Sequence, residues 1–197
     1  MQSNPERRSN EDRTRATRAA LTKAARRLFV EKGYAETGTP EIVKAANVTR
    51  GALYHHFADK ADLFRAVVRQ EYAAVAAEID AAAKTTTSTI DALTTGGDAF
   101  LRAMQQPGRV RLMLLDGPAI LGRLELDAID RETSADTLRL GLKSAMDAGE
   151  IRPLPLDALA AQLSAMFDRA ALGVAKGDAA EDHLSVLNTI LRGLVRH

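Results

Sequence analysis

Apolar residues recur at spacings of three and four along most of the chain, which is the period of an α-helix with one buried side. The first such face is formed by Ala20, Leu21, Ala24, Ala25, Leu28 and Phe29. Comparable faces continue almost to the end of the sequence, separated by short polar breaks or by Gly and Pro. The pattern predicts an all-α fold of about nine helices.

The first third of the chain predicts three helices after a polar arm. Residues 1–12 are polar and are expected to be disordered, and the first helix is expected to end at Gly33. Thr39 is the expected N-cap of the second helix, with Pro40 at the first helical position, where its missing N–H costs nothing. That helix is short, because Asn47 tolerates a left-handed backbone and suits a tight turn.

Thr49 is expected to cap a third helix over residues 50–57, and a long fourth helix runs from Lys60 towards Ala83. The remaining predicted helical segments span 90–104, 110–115, 124–148, 156–174 and 181–195. We divide the chain into the arm (1–12), a head (13–60) and a body (61–197).

Composition supports the helical interpretation and narrows the functional classes. The chain has 36 Ala and 24 Leu against 10 Val and 7 Ile, and aromatics are 4% of the residues, so an all-β fold is disfavoured. With no cysteine, disulfides and thiolate metal sites are excluded, which agrees with a cytoplasmic location. No apolar run approaches the roughly 20 residues of a membrane span, so we expect no membrane association.

Charge is distributed unevenly along the sequence. Residues 1–60 contain twelve Lys or Arg against seven Asp or Glu, a net +5, and the remainder carries a net −4. A basic head on an acidic body favours contact between the head and a polyanion. A charged helix that is simply exposed to solvent would have the same composition, so charge alone does not decide between this alternative and contact with a polyanion.

The segment 39–60 reads TPEIVKAANVTRGALYHHFADK and carries the functional prediction. Two short helices joined by a turn of three to four residues form a helix-turn-helix, in which the second helix can enter the major groove of DNA. Leu53 and Phe57 stand four positions apart on that helix and are expected to face the core. Outward-facing hydrogen-bond donors then remain for phosphates and base edges.

These residues resemble the DNA-binding head of the tetracycline-repressor (TetR) family of bacterial transcription regulators. The resemblance covers about 50 of the 197 residues and rests on Phe29, Gly33-Tyr34, Thr37, Ile42, Ala46, Val48-Thr49, Gly51-Ala52-Leu53-Tyr54, His56-Phe57, Lys60 and Leu63-Phe64. Two positions depart from the family pattern: Gly38, where members usually carry Ser or Thr, and Asn47, where they usually carry Gly.

The resemblance implies an all-helical homodimer with a DNA-binding head, a ligand-binding body and a dimer interface formed by the last two helices. It assigns phosphate contacts to Thr39, Thr49, Tyr54 and Lys60 and base-edge contacts to Arg50, Ala52 and His55. Gly51 also belongs to the predicted DNA-binding set, and its small size permits close approach between backbones. Plain structural roles stay open for two of these: Tyr54 as a packing residue and Lys60 as a solvated charge.

In the body, two sets of apolar residues are candidates for function, although both are also compatible with ordinary core. The predicted ligand pocket is lined by Phe100, Met104, Met113, Leu138, Leu142 and Met146. The predicted dimer interface is formed by Leu159, Leu163, Met166, Leu184, Leu187, Leu191 and Leu194. The polar residues that could fix a ligand, among them Arg109, Asp116, Arg123 and Asp168, cannot be ranked from spacing.

The sequence therefore predicts a ligand-responsive repressor that binds a palindromic operator as a homodimer and is released by a small apolar or amphipathic molecule. A transcriptional activator, or a non-specific DNA-binding protein without a ligand switch, is the alternative. An enzyme is disfavoured, since the chain lacks a Gly-rich phosphate loop and has only four His. His55 and His56 are adjacent on one helix, so their side chains point about 100° apart and are poorly placed to bind one metal ion. We expect neither a metal site nor a cofactor.

Overall fold

The computed structural model describes residues 5–84, 86, 88–133 and 137–195, and in these ranges the chain is helical. The α-helices are α1 (Pro5–Lys32), α2 (Thr39–Ala45), α3 (Arg50–His56), α4 (Lys60–Ala83), α5 (Thr89–Met104), α6 (Gly117–Ile120), α7 (Arg123–Thr133), α8 (Thr137–Asp147), α9 (Leu156–Val174) and α10 (Ala180–Arg192). A π-helical segment, Arg111–Asp116, precedes α6. The all-α prediction is confirmed, with ten α-helices in the described ranges against about nine expected.

The first hydrophobic core holds the head together and reaches into the body. Phe29, Tyr34 and Phe64 form its aromatic centre, with ring centroids 5.2 to 5.6 Å apart. Leu53 and Phe57 lie in this core, as the sequence predicts. Besides residues of α4, it includes Leu112, Leu126 and Ile129 from later parts of the body. The head is therefore packed onto the π-helical segment and α7, and its position depends on theirs.

The turn between α2 and α3 has the geometry expected from the sequence. Asn47 has φ 54°, in the left-handed region that Asn tolerates. Thr49 caps α3 by accepting a hydrogen bond from the backbone N–H of Ala52 at 3.1 Å. Asp59 caps α4 in the same way, accepting from the backbone N–H of Asp62 at 2.7 Å. Both caps satisfy amide groups that the first turn of a helix leaves unpaired.

Two predictions about the beginnings of helices are wrong. Helix α1 begins at Pro5, so residues 5–12 are helical rather than a disordered arm; residues 1–4 lie outside the described part of the chain. Proline is tolerated in a first helical turn, and no helix-breaking residue follows it before α1 ends. The N-cap of α2 is Gly38, not Thr39, which is the first helical residue and makes no capping bond.

Further along, α4 and α9 have the predicted ends. The region 124–148, expected as one helix, contains α7 and α8, and residues 134–136 between them lie outside the described part of the chain. The last helix ends at Arg192, earlier than expected, and Val195 instead pairs with Ile151 in an isolated antiparallel β-bridge. That bridge joins the end of the chain to the segment before α9.

The second hydrophobic core fills the body. Helix α5 lies at its centre and packs against α4, α8, α9 and α10. Helix α4 belongs to both cores, because Leu63 and Phe64 lie in the first and Val75 lies in the second. None of the helices in the described ranges is long and apolar enough to cross a membrane.

Candidate nucleic-acid interface

Helix α3 has one buried and one exposed side. Leu53 is fully buried and faces the head core, while the N-cap Thr49 and residues Arg50, Tyr54 and His55 are exposed. Tyr54 keeps 45% of its surface exposed, which is large for an aromatic residue on a packed helix. The exposed side therefore presents hydroxyl, guanidinium and imidazole groups, all of which can donate hydrogen bonds.

Helix α1 holds the C-terminal end of α3 in place. The Nη1 of Arg18 donates to the backbone carbonyl of His56 at 2.9 Å, and its guanidinium lies 4.3 Å from the centroid of the Phe57 ring. The carbonyl would otherwise be left without a partner at the helix end. One arginine thus ties the direction of α3 to α1.

Helices α2 and α3 meet where Thr39, Arg50 and Tyr54 come together. Hydrogen bonds from the side chains of Thr39 and Arg50 lower the pKa of the Tyr54 hydroxyl, and the charge of Arg50 adds to the effect. The Arg50 guanidinium lies 5.5 Å from the centroid of the Tyr54 ring. Three of the residues assigned to DNA contact from the sequence are therefore neighbours on one exposed surface.

Lys60 has a structural role that the sequence did not indicate. Its Nζ donates to the backbone carbonyls of Tyr34 and Thr37, at 2.9 and 3.1 Å, and lies 4.2 Å from the Tyr34 ring centroid. Thr37 is itself buried, and its hydroxyl donates to the carbonyls of Leu28 and Gly33. Lys60 thereby closes the turn after α1, and one of the three N–H groups of its ammonium remains for a phosphate.

The two adjacent histidines differ in environment. Burial, His55 and the charge of Arg18 lower the pKa of His56, so this side chain is neutral near pH 7. His55 is exposed, and its ring lies 5.1 Å from that of His56 in an edge-to-face arrangement. No group of His, Asp or Glu among the described residues is arranged to hold a metal ion.

The predicted dimer interface needs correction at three positions. Leu163, Leu187 and Leu191 are 2%, 4% and 0% exposed and lie in the second core of their own chain. Their spacing marks the inner side of α9 and α10, so they have no surface left for a partner. The other members of the set are half-buried: Leu159, Met166, Leu184 and Leu194.

The predicted ligand-pocket residues all belong to the second core. Met104, Met113 and Leu142 are fully buried, whereas Phe100, Leu138 and Met146 are partly buried around them. Of this set, Met104 also lines a cavity of about 350 Å³ at the ends of α5 and α9. The structure thus brings the six residues into one core without arranging all of them around that cavity.

A buried ion network links head and body, and no spacing pattern along the chain pairs its members. Glu71 of α4 accepts from Arg26 of α1 at 2.5 Å and from Arg109 at 2.9 Å. Arg109 also donates to Glu78 at 3.0 Å and to the backbone carbonyl of Ala103 at 2.7 Å. Burial opposes ionisation of Glu71, but the hydrogen bonds from the two arginines outweigh it and lower the pKa of this carboxyl.

Asp168 is the second unusual titratable group in the body. Burial raises the pKa of its carboxyl to about 6, and the charges of Asp130 and Asp127 act in the same direction, while Arg123 opposes them. Burial likewise raises the pKa of the nearby Tyr72. The sequence singled out Asp168 only as one of the polar residues that could fix a ligand, and burial is what makes its charge unfavourable.

Two family models match this chain, one in the head and one in the body. The family model for bacterial regulatory proteins of the tetR family matches residues 21–67, and that for the tetracyclin repressor-like C-terminal domain matches residues 90–197. Among curated relatives, the HTH-type transcriptional regulator AcrR of Shigella flexneri is 47% identical over 57 residues, which are 29% of this chain and 26% of AcrR. The HTH-type transcriptional repressor BepR of Brucella suis biovar 1 is 44% identical over 52 residues, 26% of this chain and 25% of BepR.

These matches span about a quarter of the length of the curated relatives. Similarity over the whole chain comes from a solved structure, a TetR-family transcriptional regulator from Pectobacterium atrosepticum. It is 29% identical, covers 94% of this chain and 97% of its own, and has a TM-score of 0.75. Since the second family model alone matches more than half of the sequence, the chain belongs to the tetR family of bacterial regulatory proteins.

Proposed function

We propose that this protein regulates transcription by binding double-stranded DNA, with α3 in the major groove. The exposed side of α3 supports this proposal most directly. It combines donors at Arg50, Tyr54 and His55 on a helix whose opposite side is fixed by Leu53. The net +5 charge of residues 1–60 favours the approach of a polyanion.

Thr39, Thr49, Tyr54 and the remaining N–H of Lys60 position the head on the phosphates, as the resemblance implies. Arg50, Ala52 and His55 contact base edges, while Gly51 allows the backbone of α3 to come close to the DNA. Arginine that donates two hydrogen bonds to a guanine is the commonest base-specific contact in the major groove.

The proposed functional unit is a homodimer formed through the outer sides of α9 and α10. Val186 and Ile190 are large apolar residues that remain 59% and 38% exposed on α10. Half-buried neighbours from the predicted set, such as Leu184 and Met166, extend this surface. A two-fold dimer presents two copies of α3 about 34 Å apart, which requires a palindromic or nearly palindromic operator.

We further propose that the protein is a repressor released by a small apolar or amphipathic molecule bound in the body. The relative BepR is a repressor by name, and the body contains a cavity lined mainly by apolar residues. Release requires that the molecule bind the free protein more tightly than the DNA-bound form. Activation of transcription is the alternative outcome of the same binding.

Selection of DNA from a random duplex pool by the purified protein tests the proposal. We expect an enriched palindrome that binds at least about 10³-fold more tightly than a shuffled duplex at the same salt concentration. Equal affinity for both duplexes would instead identify a non-specific DNA-binding protein. Failure to retain any duplex at low salt would refute DNA binding altogether.

Arg50→Ala tests the role of α3 on the selected operator. If Arg50 reads a base edge, the substitution costs about 1–3 kcal/mol of binding free energy and relaxes the preference at one base pair. Arg102→Ala, which removes an exposed arginine from α5 in the body, is the matched control and should leave affinity unchanged. Equal weakening on operator and shuffled DNA would show that Arg50 contacts phosphate only.

A further inference from the structure

Helix α1 continues well beyond the core of the head. Its 28 residues begin at Pro5, whereas its first residue in the head core is Leu21, and residues 10–16 are all exposed. Residues 5–17, which we call the α1 extension, span about 20 Å at 1.5 Å per residue. A helical segment this exposed buries little apolar surface, so packing within the chain does not account for it.

The α1 extension leaves the head beside the C-terminal end of α3. The next residue, Arg18, donates to the backbone carbonyl of His56 at 2.9 Å and lies against the ring of Phe57. Helix α3 has only seven residues, about 10 Å in length, and the major groove of DNA is about 12 Å wide. The α1 extension is therefore long enough to reach from the end of α3 to phosphates outside the groove that α3 would occupy.

The side of α1 that packs onto the head changes from apolar to polar where the α1 extension begins. Leu21 and Leu28 belong to this side and are buried. At 100° per residue, the same row continues towards the N-terminus through Thr17, Thr14 and Asn10, all of which carry hydrogen-bond donors. Thr17 is half-buried, and the other two are exposed. The row is therefore apolar where the head core covers it and polar where it leaves that core.

The charge in this part of α1 is of one sign. Residues 13–30 contain six Lys or Arg and no Asp or Glu. Arg15 is paired with Asp12 at 2.5 Å, whereas Arg13 is exposed and has no ion-pair or hydrogen-bond partner among the described residues. An unpaired arginine beside a row of hydroxyl and amide donors matches phosphate oxygens, which are anionic and accept hydrogen bonds.

We propose that the α1 extension binds the phosphate backbone of the DNA that flanks the site of α3, through Arg13, Thr14 and Asn10. This inference rests on the proposed function, since it requires that α3 occupy a major groove. An α-helix with its side chains is about 10–12 Å across and the minor groove is about 6 Å wide, so the α1 extension lies on the phosphates and does not enter that groove. Contacts of this kind add affinity but no sequence preference.

Flanking DNA measures the contribution of the α1 extension. A length of about 20 Å corresponds to about six base pairs at 3.4 Å each. The duplex selected by the purified protein is therefore prepared in two lengths, one trimmed to the enriched sequence and one with about ten further base pairs of arbitrary sequence on each side. The Kd for both duplexes is measured between 0.1 M and 1 M salt.

The expected gain follows from the release of counterions. Each phosphate contact adds about 0.9 to the slope of log affinity against log salt, which is about eightfold in Kd between 1 M and 0.1 M salt. We expect the longer duplex to be bound at least about eightfold more tightly at 0.1 M salt, with the gap closing towards 1 M. Changing the flanking sequence should leave this gain unchanged, and a gain that depends on the flanking sequence would overturn the assignment to phosphates.

Three variants test which feature of α1 produces the gain. Arg13→Gln should remove most of it and leave the Kd for the trimmed duplex unchanged. Ala16→Pro keeps every charge but breaks the helix ahead of the head, and should remove the gain as well. The matched control is Lys23→Gln, which removes one charge from an exposed position on the opposite side of α1 and should retain the full gain. Equal Tm values for the variants and the parent protein establish that the head remains folded.

The outcomes separate failure of this inference from failure of the proposed function. If a palindrome is selected but both lengths are bound equally, the α1 extension does not contact DNA and the role of α3 stands. A gain that persists in Arg13→Gln or in Ala16→Pro would refute the assigned contacts, and a gain lost equally in Lys23→Gln would reveal an effect of total charge alone. If no duplex is retained at low salt, the proposed function and this inference both fail.

Discussion

Glu71→Gln should cost this protein far more stability than the loss of one hydrogen bond. The side chain of Glu71 is 6% exposed and that of its partner Arg109 is 7% exposed, so both charges lie out of contact with water. Glutamine has the same shape and keeps one acceptor oxygen, but it removes the negative charge. Arg109 is then left buried with only one anionic partner, Glu78, at 3.0 Å.

The expected magnitude follows from the burial of the two charges. Removing one partner of a buried ion pair costs about 3–5 kcal/mol, because the other charge stays desolvated. Glu78 still compensates Arg109 in part, so the lower end, about 3 kcal/mol, is expected. For a chain of this length, 1 kcal/mol corresponds to about 2–4 °C in Tm, which gives a decrease of about 6–12 °C.

Thermal and urea unfolding at pH 7 and one fixed protein concentration measure the effect. Glu78→Gln is the control, since this partner is 45% exposed and its pair with Arg109 should contribute less than about 1 kcal/mol. The pKa of Glu71 is lowered in the folded protein, so its contribution is present above the unfolded value of 4.5 and is lost as the pH falls through the folded pKa. Equal stability of Glu71→Gln and the parent protein at pH 7, or a difference that grows on acidification, would refute this reasoning.

Three further substitutions test individual features of the fold. Thr49→Ala removes the cap of α3 and should lower stability by about 1 kcal/mol in thermal unfolding without DNA, whereas Thr49→Ser should not; equal Tm values would contradict the capping role. Gly108→Ala places a Cβ atom against Val30 at a φ of +80°, so we expect the free energy of unfolding in urea to fall by more than about 2 kcal/mol. Adding Val30→Ala should restore part of this stability, and an unchanged urea midpoint would show that the loop adapts freely. Asp168→Asn should stabilise the protein at pH 7.5 by up to about 3 kcal/mol and have no effect near pH 3. The reason is that the pKa of Asp168 is about 6 in the folded protein against 3.8 in the unfolded chain, so its ionisation opposes folding. A stability difference that does not depend on pH would exclude this cause.

Local sequence signals predicted the head well because short-range chemistry decides its features. Asn47 at the left-handed turn, Thr49 as a cap and Leu53 on the buried side each follow from one residue and its near neighbours. The cap of α2 was misplaced because threonine is a better cap than glycine in general, and the backbone nevertheless places Gly38 at that position. The disordered arm was misjudged because polar composition does not prevent a helix from extending.

Contacts between distant residues were beyond reach of the sequence. Glu71 and Arg109 are 38 positions apart, and neither has a spacing pattern that identifies the other. The apolar stripe through Leu187 and Leu191 was real, but periodicity reveals only that a helix has an apolar side and not what covers it. Lys60 shows the same limit: nothing in its spacing reveals that the backbone carbonyls of Tyr34 and Thr37 accept hydrogen bonds from its ammonium.

Helix α4 acts on the head as a long rod, since its 24 residues span about 36 Å at 1.5 Å per residue. Its first turns are packed into the head core and its middle into the body core. A tilt of only about 5° around the body end would displace the head by roughly 3 Å over that length. Hydrogen bonds to bases tolerate a few tenths of an ångström, so in the proposed complex a rearrangement too small to disturb the body's packing would be enough to break the contacts of α3 with base edges.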